Sequence, residues 1–280
     1  MKEVNLLPEG VHAPFLPEGV ALTPELLEEQ ENSLMKVLDQ IMEKSNDFGI
    51  TLRTLGSIAF RIKCPDSKYM EYENSRYLTD IDFIGFSKEI AGIQDLFFDL
   101  GWEENQTVLR LFGDKRRIFY HPTEPIHSDV FLDKLRFCHE IDFRKRLKID
   151  YPTISIVDLL LEKLQIVEIN RKDLVDVMVL LRQFDVSEDG TQLDCIDGKH
   201  IARLCSRDWG WWRTATANLE KTRELSKDYL SDVDAGAVDV KIDYILKLIN
   251  SRKRSLKWKT RSLIGEKMKW YREVEEVERD

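Results

Sequence analysis

The stretch RYLTDIDFIGFS (76–87) sets two acids, Asp80 and Asp82, among the apolar, β-prone residues Ile81, Phe83, Ile84 and Phe86. Gly85 and Ser87 follow as turn-forming residues. That pattern predicts a short, half-buried strand. Residues i and i+2 of a strand share a face, so the two carboxylates stand on one side, roughly 7 Å apart at Cα. Like charges at that spacing repel by a few kcal/mol at an effective dielectric near ~20. A divalent cation would relieve the repulsion, and so would plain solvent. Acid-x-acid triplets also occur at Glu140-Ile141-Asp142 and Asp232-Val233-Asp234, so the surroundings must decide between the two readings.

Upstream, residues 1–22 are punctuated by Pro and Gly and contain LPEGV twice, at 7–11 and 16–20. Two short copies do not make a repeat fold, and an extended arm is expected. Thr23-Pro24 has the form of an N-cap with Pro in the first turn. The apolar spacing then predicts an amphipathic helix to about Lys44. ITLRTL (50–55) reads as a strand that ends at Gly56-Ser57, with a short helix from Ile58 to about Ile62. Downstream come a helix over about 88–100 and three strands, VLRLF (108–112), RRIFYH (116–121) and HSDVFL (127–132). Strands interleaved with helices predict one mixed α/β (α+β) domain over 23–150.

Beyond Pro152 the periodicity turns helical, over 155–168, 172–183 and about 238–276, which predicts a helical domain over 151–280. The segment 185–200 reads as a loop between its halves. The net charge of −9 excludes an all-over nucleic-acid-binding surface but allows a local basic patch. The span from Lys241 to Arg272 is such a patch: eleven basic residues against Asp243 and Glu266, expected on one continuous helix. Two readings of it are open, a face for RNA or tRNA phosphates and an ordinary solvated face. No apolar run reaches the ~20 residues needed to span a bilayer. The cysteines (Cys64, Cys138, Cys195, Cys205) form no CxxC pair, and reduced thiols in a cytoplasmic protein are expected.

Three features give Asp80 and Asp82 a chemical context. Gly56-Ser57 lies at a strand-to-helix junction, where free backbone N–H groups bind phosphate, although Ser57 also reads as a simple N-cap. Asp129, an acid between apolar residues of HSDVFL, offers a third carboxylate for a hard cation, or is an exposed strand acid. Lys163 stands in the otherwise apolar DLLLEKLQIV (158–167), where it either snorkels or meets an anion.

The motifs LGSIAF (55–60), TDIDFIGF (79–86) and HSDVF (127–131), in that order before a helical half, resemble the nucleotidyltransferase superfamily. DLLLEKLQIVEINRKDLVDVMVLL (158–181), with Lys163 followed by Lys172-Asp173-Leu174-Val175-Asp176, resembles its AbiEii-type branch, which includes defence-system toxins. The similarity spans about 50–182. It implies a mixed-sheet catalytic domain and transfer of a nucleotide from an NTP to a hydroxyl of RNA, a protein or a small molecule. It further implies that Asp80, Asp82 and Asp129 hold two Mg²⁺ ions, ~3.5–4 Å apart as in other two-metal sites. Gly56 and Ser57 would cradle phosphates, with Lys163 and one of Arg116 and Arg117 adding charge, since strand neighbours face opposite ways. Asp173 and Asp176 would belong to the site, orienting Lys163 or acting on the acceptor, or form a salt-bridged helix surface. An antitoxin or a second copy of the chain are the implied protein partners. The rival reading is a catalytically inactive nucleotide-binding, antitoxin-like or scaffold module. The chain departs from the family in the long polar, Tyr-rich insert between Ser57 and Asp80, expected as a loop or flap near the nucleotide.

Two other groupings carry less. His121, His127, Cys138 and His139 fit no zinc spacing. Asp208-Trp209-Gly210-Trp211-Trp212-Arg213 is aromatic enough to stack bases, but suits a helix-packing core better.

Overall fold

The computed structural model describes residues 13–16, 19–188 and 193–273. The chain divides into two compact units. One runs to Leu135 and takes in Asp142–Ile154; the other consists of Arg136–Ile141 and the chain from Ser155. The second unit thus begins close to the expected boundary but also takes six residues from within the first.

The first unit opens with α1 (Pro24–Asp47), whose N-cap Thr23 accepts a hydrogen bond from the Leu26 backbone N–H at 3.3 Å. Then come β1 (Leu52–Leu55), α2 (Gly56–Lys63), α3 (Tyr69–Glu73), β2 (Asp82–Gly85), α4 (Ile90–Asp99), β3 (Glu103–Glu104), α5 (Gln106–Phe112), β4 (Arg116–Tyr120) and β5 (His127–Leu132). Two short strands, β6 (Lys134–Arg136) and β7 (Glu140–Asp142), each straddle a unit boundary. The five-stranded sheet has the order β1-β2-β5-β4-β3. Only the central β2–β5 pairing is parallel. One sheet face carries Phe83, Val130, Leu132 and Phe119, and these pack with Leu34, Leu38 and Ile41 of α1 and Ile93 and Phe97 of α4. Phe97 stacks on Phe119 with ring centroids 4.1 Å apart. The mixed α/β fold class expected from the alternation of strands and helices is the fold found.

Three expectations need correction in this unit. VLRLF is not a strand. Asn105 caps α5 there, its side-chain oxygen accepting from Val108 N–H at 2.9 Å, and Leu111 stays 66% exposed. A local cap outweighs the alternating pattern. The polar insert is not a loose flap either. Its helix α3 buries Met70, Glu71 and Tyr72, and Arg61 of α2 pairs with Glu71 and with Glu31 of α1 while lying over the Tyr72 ring. The Tyr72 hydroxyl donates to Glu31 at 2.6 Å, and burial above all pushes its pKa up to about 12. Lastly, the described part of the N-terminal arm packs against the unit, with Ala13, Leu16 and Leu22 buried beside Leu27, Tyr72 and Tyr77. The first LPEGV copy lies outside the described residues.

The second unit is built from α6 (Ile156–Leu164), α7 (Arg171–Gln183), a minimal parallel pair β8 (Val186–Ser187) and β9 (Ile196–Asp197), then α8 (Gly198–Arg207), α9 (Trp209–Tyr229), α10 (Asp232–Ser251) and α11 (Leu256–Ile264). Its interior holds Leu160 and Leu164 of α6, Val177 and Leu180 of α7, Leu219 of α9, and Ile242, Ile245 and Ile249 of α10. Asn218 of α9 donates to the carbonyls of Leu164 and Ile166, closing the C-terminal end of α6. The expected single basic helix is in fact two. It breaks at Arg252, and Ser255 starts α11 by capping Trp258 N–H while donating to Arg207 O and binding Ser206 O through its backbone N–H. The apolar stripe stops with the break, because Leu256 and Leu263 are more than 80% exposed. Among the described residues no helix is long and apolar enough to cross a membrane.

His139 gives this unit a pH dependence. Its ring bonds Thr214 Oγ1 at 2.9 Å, and burial lowers its pKa from 6.5 to about 4, despite the opposing pull of Asp208 and with a small push from Arg272. The unfolded chain takes up a proton near pH ~6.5 that the folded chain refuses until about pH 4. Stability present above pH ~6.5 is therefore lost as the pH falls towards 4, by about 3 kcal/mol in full. Urea midpoints of wild type and His139→Gln should converge, or cross in favour of the variant, over that window. A gap that stays constant with pH would rule the assignment out.

Candidate active site

The pairing register of the first unit assembles the site. Phe83 pairs with Val130 where β2 and β5 begin to run parallel, so the preceding residues, Asp82 and Asp129, stand side by side. Paired positions face the same way, and the face they share is opposite to the apolar one of Phe83 and Val130. Two residues back on each strand lie Asp80 and His127, with Asp80 Oδ2 3.6 Å from His127 Nε2. Asp80, Asp82 and His127 are half-buried, and Asp129 is 2% exposed.

The same register chooses between the two arginines. Arg116 lies across from Phe131, two residues from Asp129 and on its face, and it forks that carboxylate with Nε at 3.2 Å and a terminal nitrogen at 2.6 Å. Arg117 points to the other face, where its guanidinium is buried against Glu104 of β3. Arg117 is therefore no phosphate ligand on the acid face: alternation allows only one of the two arginines there, and the register makes it Arg116.

Gly56 adjoins this face because Leu55 pairs with Asp82. Its φ of +72° suits glycine, and a Cβ there would lie 2.8 Å from Asp82 Oδ2. The backbone of Gly56 thus packs directly on the Asp82 carboxylate. It also opens α2, an eight-residue helix whose N-cap, Leu55, provides no side-chain bond to the first turn. The helix N-terminus and its orphan N–H groups favour negative charge beside Asp82. Ser57 is buried at the second position of the helix. Gly56→Ala should cost about 1–2 kcal/mol in backbone strain and also displace the Asp82 carboxylate. Urea unfolding reads the first effect and nucleotide affinity the second. A variant with wild-type values for both would contradict the geometry.

The remaining candidates, Lys163, Asp173 and Asp176, come together in the helical unit. Lys163 Nζ sits 3.0 Å from Asp173 Oδ1, 3.1 Å from Asp176 Oδ2 and 3.8 Å from Glu162 Oε1. Lys163 and Asp176 are buried, at 6% and 0% exposure. This is an internal ion cluster and not a solvated helix surface.

Oxygen ligands on one face are the donor chemistry that a hard cation such as Mg²⁺ takes. Asp80 and Asp82 fit that requirement, whereas Asp129 joins them only when Arg116 releases it. Among the described residues no three His, Cys, Asp or Glu side chains are grouped closely enough to hold a metal ion as they stand. His127 was absent from the set of acid-site residues expected from sequence. Its position two residues before Asp129 in a strand was the available signal. Comparison with protein-family models, with curated proteins and with solved structures found no match to this chain.

Proposed function

We propose that the α/β unit is a nucleotidyltransferase, moving a nucleoside monophosphate from an NTP to a hydroxyl acceptor with release of pyrophosphate. The observation that carries this reading is the register that sets Asp82 beside Asp129, with Asp80 on the same face and Gly56 at the helix start packed against Asp82. The order of the motifs, which resembles the nucleotidyltransferase superfamily, supports it further. Asp80 and Asp82, joined by Asp129, would hold Mg²⁺. When bound, the metal supplies charge neutralisation at the phosphoryl oxygens and a lowered pKa for an attacking hydroxyl.

The chain's own groups divide the remaining work. The N-terminal end of α2 receives phosphate oxygens through backbone N–H groups. Arg116 offers a planar cation to the phosphoryl oxygens as it leaves Asp129, since one fork serves carboxylate and phosphate equally well. His127 stands beside Asp80, 3.6 Å away on the neighbouring strand. Lys163 has no assigned phosphate, because two carboxylates already grip its ammonium.

The Arg116–Asp129 pair also favours a second reading, an inactive module that binds nucleotide without transfer, because it ties up one of the three acids. The test is incubation with α-labelled NTPs, Mg²⁺ and candidate acceptors (RNA, protein, aminoglycoside), beside thermal shift with NTP alone and with NTP plus Mg²⁺. Label transfer with Mg²⁺-dependent stabilisation supports the enzyme. Stabilisation by NTP that is indifferent to Mg²⁺, without transfer, supports the binding module. No response to any NTP rejects both.

A further inference from the structure

The helical unit contains a cavity of about 550 Å³ that nucleotidyl transfer does not use. Its walls are the end of α8, the first turn of α9, α11, the segment 269–272 and residues 138–140. The size is that of a small-ligand site, about 300–1,000 Å³. Two properties of the lining narrow what it takes.

The first is aromatic surface. The chain has six tryptophans, and four of them (Trp209, Trp211, Trp258 and Trp270) line this one cavity together with Tyr271. Trp211 is core, 3% exposed and tilted against His139. Trp258 and Trp270 are only half-buried, and the Trp258 Nε1–H has no acceptor among the described residues. Trp258 meets Trp212 edge to face at 5.3 Å with Arg254 over its ring, Trp270 meets Trp209 at 6.0 Å, and both indoles still keep part of their surface open.

The second is charge. Arg207, Lys257, Arg261, Lys269 and Arg272 line the cavity against Asp208 and Glu140. Lys269 is paired with Glu273, so five cations against three acids leave a local excess of two positive charges on a chain whose net charge is −9. The other two acids are also engaged: Asp208 caps α9 through Trp211 N–H, and Glu140 lies 3.7 Å from Arg272. Arg207 and Lys257 are exposed.

The walls are fixed in place. Arg261 lies over the Trp209 ring at 4.8 Å and donates to the carbonyls of Gly265 and Met268. Trp270 donates from Nε1 to Thr214 at 3.1 Å. Its carbonyl approaches Gly210 so closely that a Cβ there would be 2.6 Å away.

We propose that this cavity binds single-stranded nucleic acid, with an unpaired base stacked on Trp258 or Trp270 and the flanking phosphates met by Arg207 and Lys257. Half-buried indoles interleaved with cations are how proteins hold a strand without reading its sequence. A duplex keeps its base faces to itself and cannot use the rings. An acidic peptide would satisfy the cations but brings no flat face for the indoles.

The test is fluorescence anisotropy of a short labelled oligouridylate with the full chain, in EDTA and without NTP, so that the result is independent of catalysis. The strand should bind and lose affinity as salt rises. Trp258→Ala should weaken binding on the order of tenfold, and Lys257→Gln should flatten the salt slope by about 0.7. Trp258→Phe, which keeps a ring, should retain most of the affinity and so separates stacking from misfolding. Absence of binding at low salt would overturn the proposal. So would equal affinity for a duplex, equal affinity for free UMP, or indifference to both Trp258→Ala and Lys257→Gln.

Discussion

Asp82→Asn should reduce nucleotide transfer on the order of 10³-fold, about 4 kcal/mol of transition-state stabilisation. The substitution removes one charge and almost no volume, and an asparagine still fits against the backbone of Gly56. The same variant should unfold close to the wild-type temperature, because the repulsion it relieves between Asp80 and Asp82 is offset by the lost attraction of the α2 N-terminus for the Asp82 charge. An ordinary pair of strand acids would show no loss of transfer. Label transfer measured beside a thermal melt gives both readings, and transfer at the wild-type rate would refute the assignment.

Lys163→Met should destabilise the helical unit by about 3–5 kcal/mol, because it removes the ammonium that Asp173 and Asp176 share in a buried site. The melting temperature should fall by roughly 10 °C. Asp176 is fully buried and Asp173 half-buried, with side-chain exposures of 0% and 14%, so water replaces the ammonium poorly at Asp176. Lys163→Arg keeps the charge and should recover much of the loss. A melt of Lys163→Met at the wild-type temperature would contradict a structural role. It would leave the lysine available to a ligand.

Much of this was legible in the chain. Asp82–Gly85 and HSDVFL are strands, as their β-prone apolar residues indicate, although both of their faces are buried and not one alone. The strand period also put Asp80 and Asp82 on one side before any contact was known. Thr23-Pro24 marked the start of α1 by local chemistry alone. Local signals misled where a nearby residue or a distant partner overruled them. VLRLF alternates like a strand, yet Asn105 caps it as a helix. The polar insert reads as a loop or flap, yet the Arg61 ion pairs anchor a short helix there that buries Met70, Glu71 and Tyr72. The basic segment keeps its helical period through Arg252, yet Ser255 breaks it by bonding to the end of α8.

The sequence by itself determined the mixed α/β class, the succession of elements that bear the acids, and the side of the strand on which Asp80 and Asp82 stand. Periodicity and capping are local, so they are written in neighbouring residues. Only the tertiary structure decided that Asp82 neighbours Asp129, that Arg116 and not Arg117 shares their face, and that Lys163 is held by Asp173 and Asp176. It alone brought Trp209, Trp258 and Trp270 around one cavity. Each of these depends on strand register or on packing between residues distant in the chain, and a local pattern specifies neither.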